Sequence, residues 1–328
     1  MTFAELLRTW PRPLVLYEVI PPPRSAPREE VADTAEFVAT LLADQPVDAI
    51  NVPDVRNESR QGNRQAAFMQ KLEPRQFARS LQDVFQDGAD LIVNHGTVYE
   101  PESAQRDWLK DTFTKFNLPN LVLVGGESSN VDYPGPSVGA CARLAREVGQ
   151  ETGTDPALGG ITIPTRRRAT FDEPERMLAK IEAGIEFFTS QVIFEAESSC
   201  RLLADYDAAC EQAGVKPAPI FLSFAPITGR KDLGFLTWLG VEVPGTVEAW
   251  VLDTRGHALE RSVRVAEHVL HEILRFADRQ DLSVPIGINV EHVMRYNFEA
   301  SEVLLDHLTS LLDWHAIEQR YTPKEPSP

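Results

Sequence analysis

Leu14-Val15-Leu16-Tyr17-Glu18-Val19-Ile20, closed by Pro21-Pro22-Pro23, is the stretch on which the fold turns. Leu, Val, Tyr and Ile suit a buried extended backbone. Three prolines in a row lack the N–H groups that a strand ladder needs. A short strand therefore ends near Glu18, and apolar residues at helical spacing resume over 29–42.

The same unit recurs down the chain. Strands are predicted over 48–52, 90–94, 120–124, 158–163, 187–194, 219–224 and 286–290. Helices follow them over 75–85, 103–116, 137–149, 173–183, 198–212, 231–239 and 300–314, with an inserted helix over 259–279 before the last strand. Strand–helix alternation implies a parallel sheet covered by helices. Eight units without a linker imply a single (βα)8 TIM barrel over residues 1–320, an α/β fold with a helical insertion and a disordered tail at 321–328.

The 328 residues, 43% of them hydrophobic, supply ample core for one such domain. Thirty-two basic and 49 acidic residues leave a net charge of −17, which opposes binding to nucleic acid or to an anionic membrane surface. Cys141, Cys200 and Cys210 form no CxxC and fit a reducing compartment as small apolar filler. Residues 1–13 lack the layout of a secretory signal, and no apolar run approaches the roughly 20 residues of a membrane span. The expectation is a soluble cytoplasmic protein.

GxxxxGK(S/T), GxGxxG, HExxH and GxSxG are absent, so any nicotinamide is held without a Rossmann unit. His268 and His271 share a helix face, for which a solvated surface is the ordinary explanation. A barrel of this kind assembles its site at the C-terminal strand ends. The polar residues there are Glu18, Asn51 with Asp54, His95, Glu127, Thr162, Gln191 with Glu195, Ser223, and Asn289 with Glu291. Glu18 stands out because it lies among apolar neighbours. A carboxyl so placed tends to keep its proton and can act as an acid. The competing arrangement turns Glu18 outward to pair with an arginine on a helix.

These residues resemble the methylenetetrahydrofolate reductase family. Tyr17-Glu18-Val19-Ile20-Pro21-Pro22 is similar to its first-strand Glu-x-x-Pro-Pro, and Asn94-His95 to its Pro-His. Val124-Gly125-Gly126-Glu127 falls where the family has Leu-Arg-Gly-Asp. Residues 179–198 (AKIEAGIEFFTSQVIFEAES) resemble its Lys-x-Asp-Ala-Gly-Ala and Thr-Gln-Phe-Phe-Phe-Asp segments, aligning Gln191 with a pterin-binding Gln.

The resemblance spans about residues 14–308 and implies reduction of 5,10-methylenetetrahydrofolate to 5-methyltetrahydrofolate, a step that feeds methionine biosynthesis. Glu18 would be the general acid, and Glu127 and Gln191 would hold the pterin, with the strand-end carboxyl Asp54 as a further substrate contact. His95, Thr162, Arg166, Arg168 and Lys180 would meet the cofactor. The hydride would come from NAD(P)H, directly or through FAD. Two of the family's FAD segments are altered here. Val52-Pro53-Asp54-Val55 stands for Thr-Tyr-Gly-Ala, and Ile163-Pro164-Thr165 with Arg166, Arg167 and Arg168 replaces Tyr-Pro-Glu-x-His-Pro. The arginine run suits a diphosphate, a folate tail or a solvated loop. Folate and nicotinamide are thus the expected partners, with self-association open. A non-redox pterin-dependent methyltransferase or lyase, and a catalytically silent subunit, are the alternatives.

Overall fold

The computed structural model describes residues 1–57, 68–85, 89–126, 131–166, 172–253 and 257–321. Helix α1 (Phe3–Thr9) precedes β1 (Val15–Glu18) and α2 (Arg28–Leu42). Next come β2 (Ala49–Val52), α3 (Pro74–Val84), β3 (Asp90–Gly96), α4 (Glu102–Thr114), β4 (Asn120–Val124) and α5 (Val138–Thr152). The second half holds β5 (Ala157–Thr162), α6 (Glu173–Glu182), β6 (Phe187–Val192), α7 (Glu197–Ala213) and β7 (Ile220–Phe224). Helices α8 (Arg230–Trp238), α9 (Gly245–Val251) and α10 (Ala258–Arg279) lead to β8 (Ile286–Glu291) and α11 (Phe298–Tyr321). The eight parallel strands close in chain order, with β1 paired to both β2 and β8. The expected (βα)8 barrel is the fold. The expected tail lies outside the described residues, apart from Tyr321 at the end of α11.

Successive strand residues face opposite sides of the barrel wall. Leu14, Leu16, Ala49, Ile92, Val122, Ala157, Phe187 and Phe221 fill the interior. Val15, Tyr17, Ile50, Leu121, Leu158 and Ile288 face the helices in the larger core. Both faces are apolar because both are buried. Two strand glycines make room for the interior rings. A Cβ on Gly159 would lie 2.4 Å from the Phe187 ring, and one on Gly287 would lie 2.6 Å from the Leu14 carbonyl and 2.8 Å from the Phe221 ring.

Two features depart from the sequence expectation. Residues 1–13 were expected only to lack a signal, yet they contain α1, which seals the barrel's N-terminal end. Thr2 and Glu5 form a capping box. Phe3 meets Phe187 edge-on at 5.4 Å and, with Leu7, joins the interior core. The second departure concerns the outer ring. Helix α10 packs on α7 and α11 and supplies Val263, Val269, Leu270 and Ile273 to the main core, so it holds the ring position after β7. The inserted elements are α8 and α9, which cluster with Val192, Phe194, Ile227 and Val293 over the C-terminal ends of the strands. Helix α10 wins the ring position because its long apolar stripe can cover two neighbouring helices.

The fit of Phe187 to Gly159 makes a double-mutant cycle informative. Phe187→Ala should cost about 3–5 kcal/mol in urea unfolding, and Gly159→Ala on the order of 1–3 kcal/mol through crowding. In the double variant the Gly159 penalty should vanish, because the ring it meets is gone. Simple additivity would contradict this packing.

Candidate functional site

Glu18 ends β1 on the inward row that begins with Leu14 and Leu16, so its carboxyl enters the barrel mouth. It is partly exposed. Its Cα partners are Asn51 on β2 and Glu291 on β8. Asn51 donates its Nδ2–H to the Glu18 carboxylate at 2.8 Å. Across the β1–β8 seam, Glu291 accepts from Asn289 Nδ2 at 3.2 Å, and that same amide donates to Ser223 Oγ at 3.0 Å. Two carboxyls thus stand on adjacent strands, each held by an asparagine.

Burial raises the Glu18 pKa well above the carboxylate range, and the like charge of Glu291 adds to it, against the opposing Asn51 hydrogen bond. Burial also pushes Glu291 up to about 7, against hydrogen bonds from Ser223 and Asn289. The outward, arginine-paired arrangement of Glu18 is therefore not the one adopted. The chain turns sharply just beyond Glu291. Val293 sits at φ 57°, a costly backbone for a β-branched residue. The preceding His292 accepts from Ile20 N at Nε2 and donates from Nδ1 to Met294 O, tying β8 to the proline segment after β1.

A cavity of about 430 Å³ opens beside the carboxyl pair, with Glu291, Gln191, Ser190, Lys180, Arg166 and Arg176 as its polar lining. Gln191 reaches it through a register shift between Thr189 and Val192 in the β6–β7 pairing, one extra residue that re-aims the strand end. Ser190 Oγ accepts from Ser223 N at 2.8 Å and pins the shift. Gln191 Nε2 reaches the Leu239 carbonyl at 3.4 Å, linking the site to the segment after α8.

The cationic side of the cavity is organised by buried Glu173. Its carboxylate accepts from Thr162 Oγ1 at 3.2 Å, Ile163 N at 3.2 Å and Arg166 Nη1 at 2.9 Å, and Arg176 lies 3.7 Å away. Lys180 donates to the Ile161 carbonyl at 2.6 Å, and burial pushes its pKa down to about 8.

The expected site residues therefore divide. Glu18 enters the mouth, and Gln191, Arg166 and Lys180 line the adjoining cavity. Asp54 stands over the end of β3, accepting from Arg56 Nε at 2.7 Å and Gly96 N at 3.2 Å. His95 and Thr162 do not face the mouth. They occupy outward positions of their strands. The His95 ring stacks on Trp108 of α4 at 3.6 Å and donates from Nε2 to Gln105, and burial lowers its pKa to about 4. Thr162 Oγ1 meets Glu173 and the Met177 Sδ of α6. Glu127 and Arg168 lie outside the described residues. Glu291 and Glu173 carry weight that the sequence expectation did not assign to them. Among the described residues no cluster of His, Cys, Asp and Glu could hold a metal ion, and no helix is long and apolar enough to cross a membrane.

No protein-family model matches the chain, and no curated protein matches it. Solved structures do. An uncharacterized protein from Clostridium thermocellum that binds two copies of 5-methyl-5,6,7,8-tetrahydrofolic acid is 20% identical, with a TM-score of 0.75 over 96% of this chain and 99% of that one. A 2,3-dimethylmalate lyase of the PEP mutase/isocitrate lyase superfamily is 12% identical, with a TM-score of 0.48 over 99% and 90% of the two chains. An oxaloacetate acetylhydrolase in complex with oxalate is 14% identical, with a TM-score of 0.48 over 99% and 87%. At 20% identity the first of these shares the fold with this chain.

The raised carboxyl pKa of Glu291 fixes a pH dependence of stability. The folded value of about 7 exceeds the ordinary 4.5, so its contribution is complete below about 4.5 and lost as pH rises to about 7. Glu18 acts in the same direction. Across this window the unfolding free energy of the wild type should fall relative to that of the Glu18→Gln/Glu291→Gln double variant, measured by urea titration at stepped pH. Parallel curves would show that neither carboxyl is perturbed.

Proposed function

We propose that this chain binds a reduced folate in the barrel mouth and reduces its 5,10-methylene carbon to a methyl group, with Glu18 as the proton donor. The observation that carries this is the placement of the Glu18 carboxyl at the C-terminal barrel face, where burial and the like charge of Glu291 raise its hold on a proton. A neutral acid fixed at a strand end is what opening of the methylene-bridged ring requires. Supporting it are the family-like Glu-x-x-Pro-Pro segment, Gln191 beside the cavity, and the 5-methyltetrahydrofolate bound by the structural relative.

In this scheme the amide of Gln191 meets the pterin edge, with Glu127, carried over from the resemblance, and the strand-end carboxyl Asp54 as further contacts. Arg166 and Lys180 place positive charge where a diphosphate or a folate tail would lie. NAD(P)H supplies the hydride directly to the folate. His95, which the resemblance places at a flavin, and Thr162, expected at the cofactor, spend their polar atoms on Gln105 and Glu173 in the helix layer. Both side chains are thereby turned from the mouth in which a flavin would lie. The same observation favours one second reading, a non-redox methyl transfer from a bound folate on this barrel.

Oxidation of NAD(P)H by the purified protein on addition of 5,10-methylenetetrahydrofolate, without flavin absorbance, is the expected result. Glu18→Gln should lower kcat by about 10²- to 10⁴-fold, the usual share of a general acid, while tetrahydrofolate binding by calorimetry stays close to wild type. Near-normal turnover in that variant would remove Glu18 as the acid. Methylenetetrahydrofolate binding without nicotinamide oxidation would instead favour the transfer chemistry.

A further inference from the structure

Glu291 has no counterpart in the motifs that carry the family resemblance, yet it is the carboxyl that lines the cavity. Glu18 is its direct Cα partner across the β1–β8 seam. We propose that Glu18 and Glu291 form one proton-sharing pair, in which Glu291 touches the ligand and serves as a second catalytic carboxyl. The catalytic part of this rests on the folate reduction proposed above. The pair itself rests on geometry alone.

The surroundings are built for such a pair. Each carboxyl receives one amide N–H, from Asn51 and from Asn289, and among the described residues neither is neutralised by a cation. The cationic groups that face the same cavity from β5 and α6 are committed elsewhere. Arg166 and Arg176 lie on Glu173, and Lys180 on the Ile161 carbonyl. His292, next along the chain, is a neutral ring whose two nitrogens are occupied by backbone groups. Two half-buried acids in register, with no counter-cation among the described residues, cannot both ionise cheaply, so the pair holds a proton above the ordinary carboxylate range. The oxygens of Asn51 and Asn289 are buried and have no hydrogen-bond partner among the described residues, a cost that the two amides bear while donating to the carboxyls.

The pair changes what the acid can do. A proton passes from it to a ring nitrogen of the methylene-bridged folate. The carbon–nitrogen bond breaks with its electron pair going to that nitrogen, leaving an iminium cation at the carbon. Both carboxyls are then anionic and face that cation, so the repulsion that held the proton becomes attraction for the intermediate. The iminium carbon is reduced by the hydride that NAD(P)H supplies, and the pair regains its proton from water. A lone Glu18 could donate the proton but would present one charge instead of two.

Infrared difference spectroscopy on the full chain tests the pair without substrate, because a protonated carboxyl has its own carbonyl band. In the wild type that band should persist to a pH above the ordinary carboxylate range. In Glu291→Gln it should disappear at lower pH, since Glu18 loses the like charge. In Asn289→Ala it should persist to higher pH, since ionised Glu291 loses a donor. Opposite shifts in the two variants cannot arise from general loosening, and the second keeps the test available should the first fail to fold. The alkaline limb of the kcat profile should move in the same two directions, with Glu291→Gln lowering kcat by on the order of 10- to 100-fold. An unmoved band in both variants overturns the pair. A moved band in a protein that oxidises no nicotinamide with methylenetetrahydrofolate overturns the reduction and leaves the pair standing. A moved band with unchanged kcat in Glu291→Gln overturns the catalytic role of Glu291.

Discussion

Closure of the barrel between its first and last strands is the constraint from which the site follows. Val15–Glu18 and Ile288–Glu291 are separated by nearly the whole chain, yet they pair in strict register, residue against residue. Parallel strands this remote in sequence meet only after six others have taken their places between them. Where the seam reaches the C-terminal face, its last pair is two glutamates. The interior below them leaves no slack to shift the register, because Phe187 and Phe221 fill the space of Gly159 and Gly287 and α1 plugs the opposite end.

That seam is expensive. Burying two carboxyls and holding Val293 in a left-handed conformation both act against folding. Such costs persist where the surrounding structure over-determines them, and here it does. Asn51, Asn289 and Ser223 grip the acids from three strands, while His292 stitches β8 to the prolines after β1. The prolines therefore do two things. They end the first strand just after its acid, and they leave the N–H of Ile20, directly before them, to donate to the His292 ring of the last strand's turn.

On the far side of the mouth, Glu173 performs the opposite electrostatic task. It gathers Arg166, Arg176, Thr162 and the Ile163 amide around one buried carboxylate. The cavity is consequently polarised, with Glu291 of β8 on one side and cations on α6 and the segment after β5 on the other. The overall charge of −17 gives no hint of this local reversal. An elongated ligand with a proton-accepting ring at one end and an anionic group at the other matches that polarity. Helices α8 and α9 cover the same region and touch it through Gln191 and Leu239, so the insertion after β7 belongs to the site as well as to the fold.

The alternation of eight short apolar runs with eight amphipathic ones, the abrupt stop at three prolines and the acid before them were all legible along the chain, because each is a local pattern. They determined the barrel and placed Glu18 at a strand end. Which face a strand residue takes was not legible. In a strand buried on both sides the apolar pattern carries no phase, so His95 and Thr162 read as mouth residues while their side chains belong to the helix layer. Helix α1 was hidden for a related reason, since its Thr2–Glu5 box is a weak signal until Phe3 has an interior to fill. The one-residue shift that aims Gln191, the ring position of α10 and above all the partnership of Glu18 with Glu291 depend on which distant strands become neighbours. Only the closed tertiary structure decides that, because register across a seam is set by packing and hydrogen bonding between segments that share no local sequence signal.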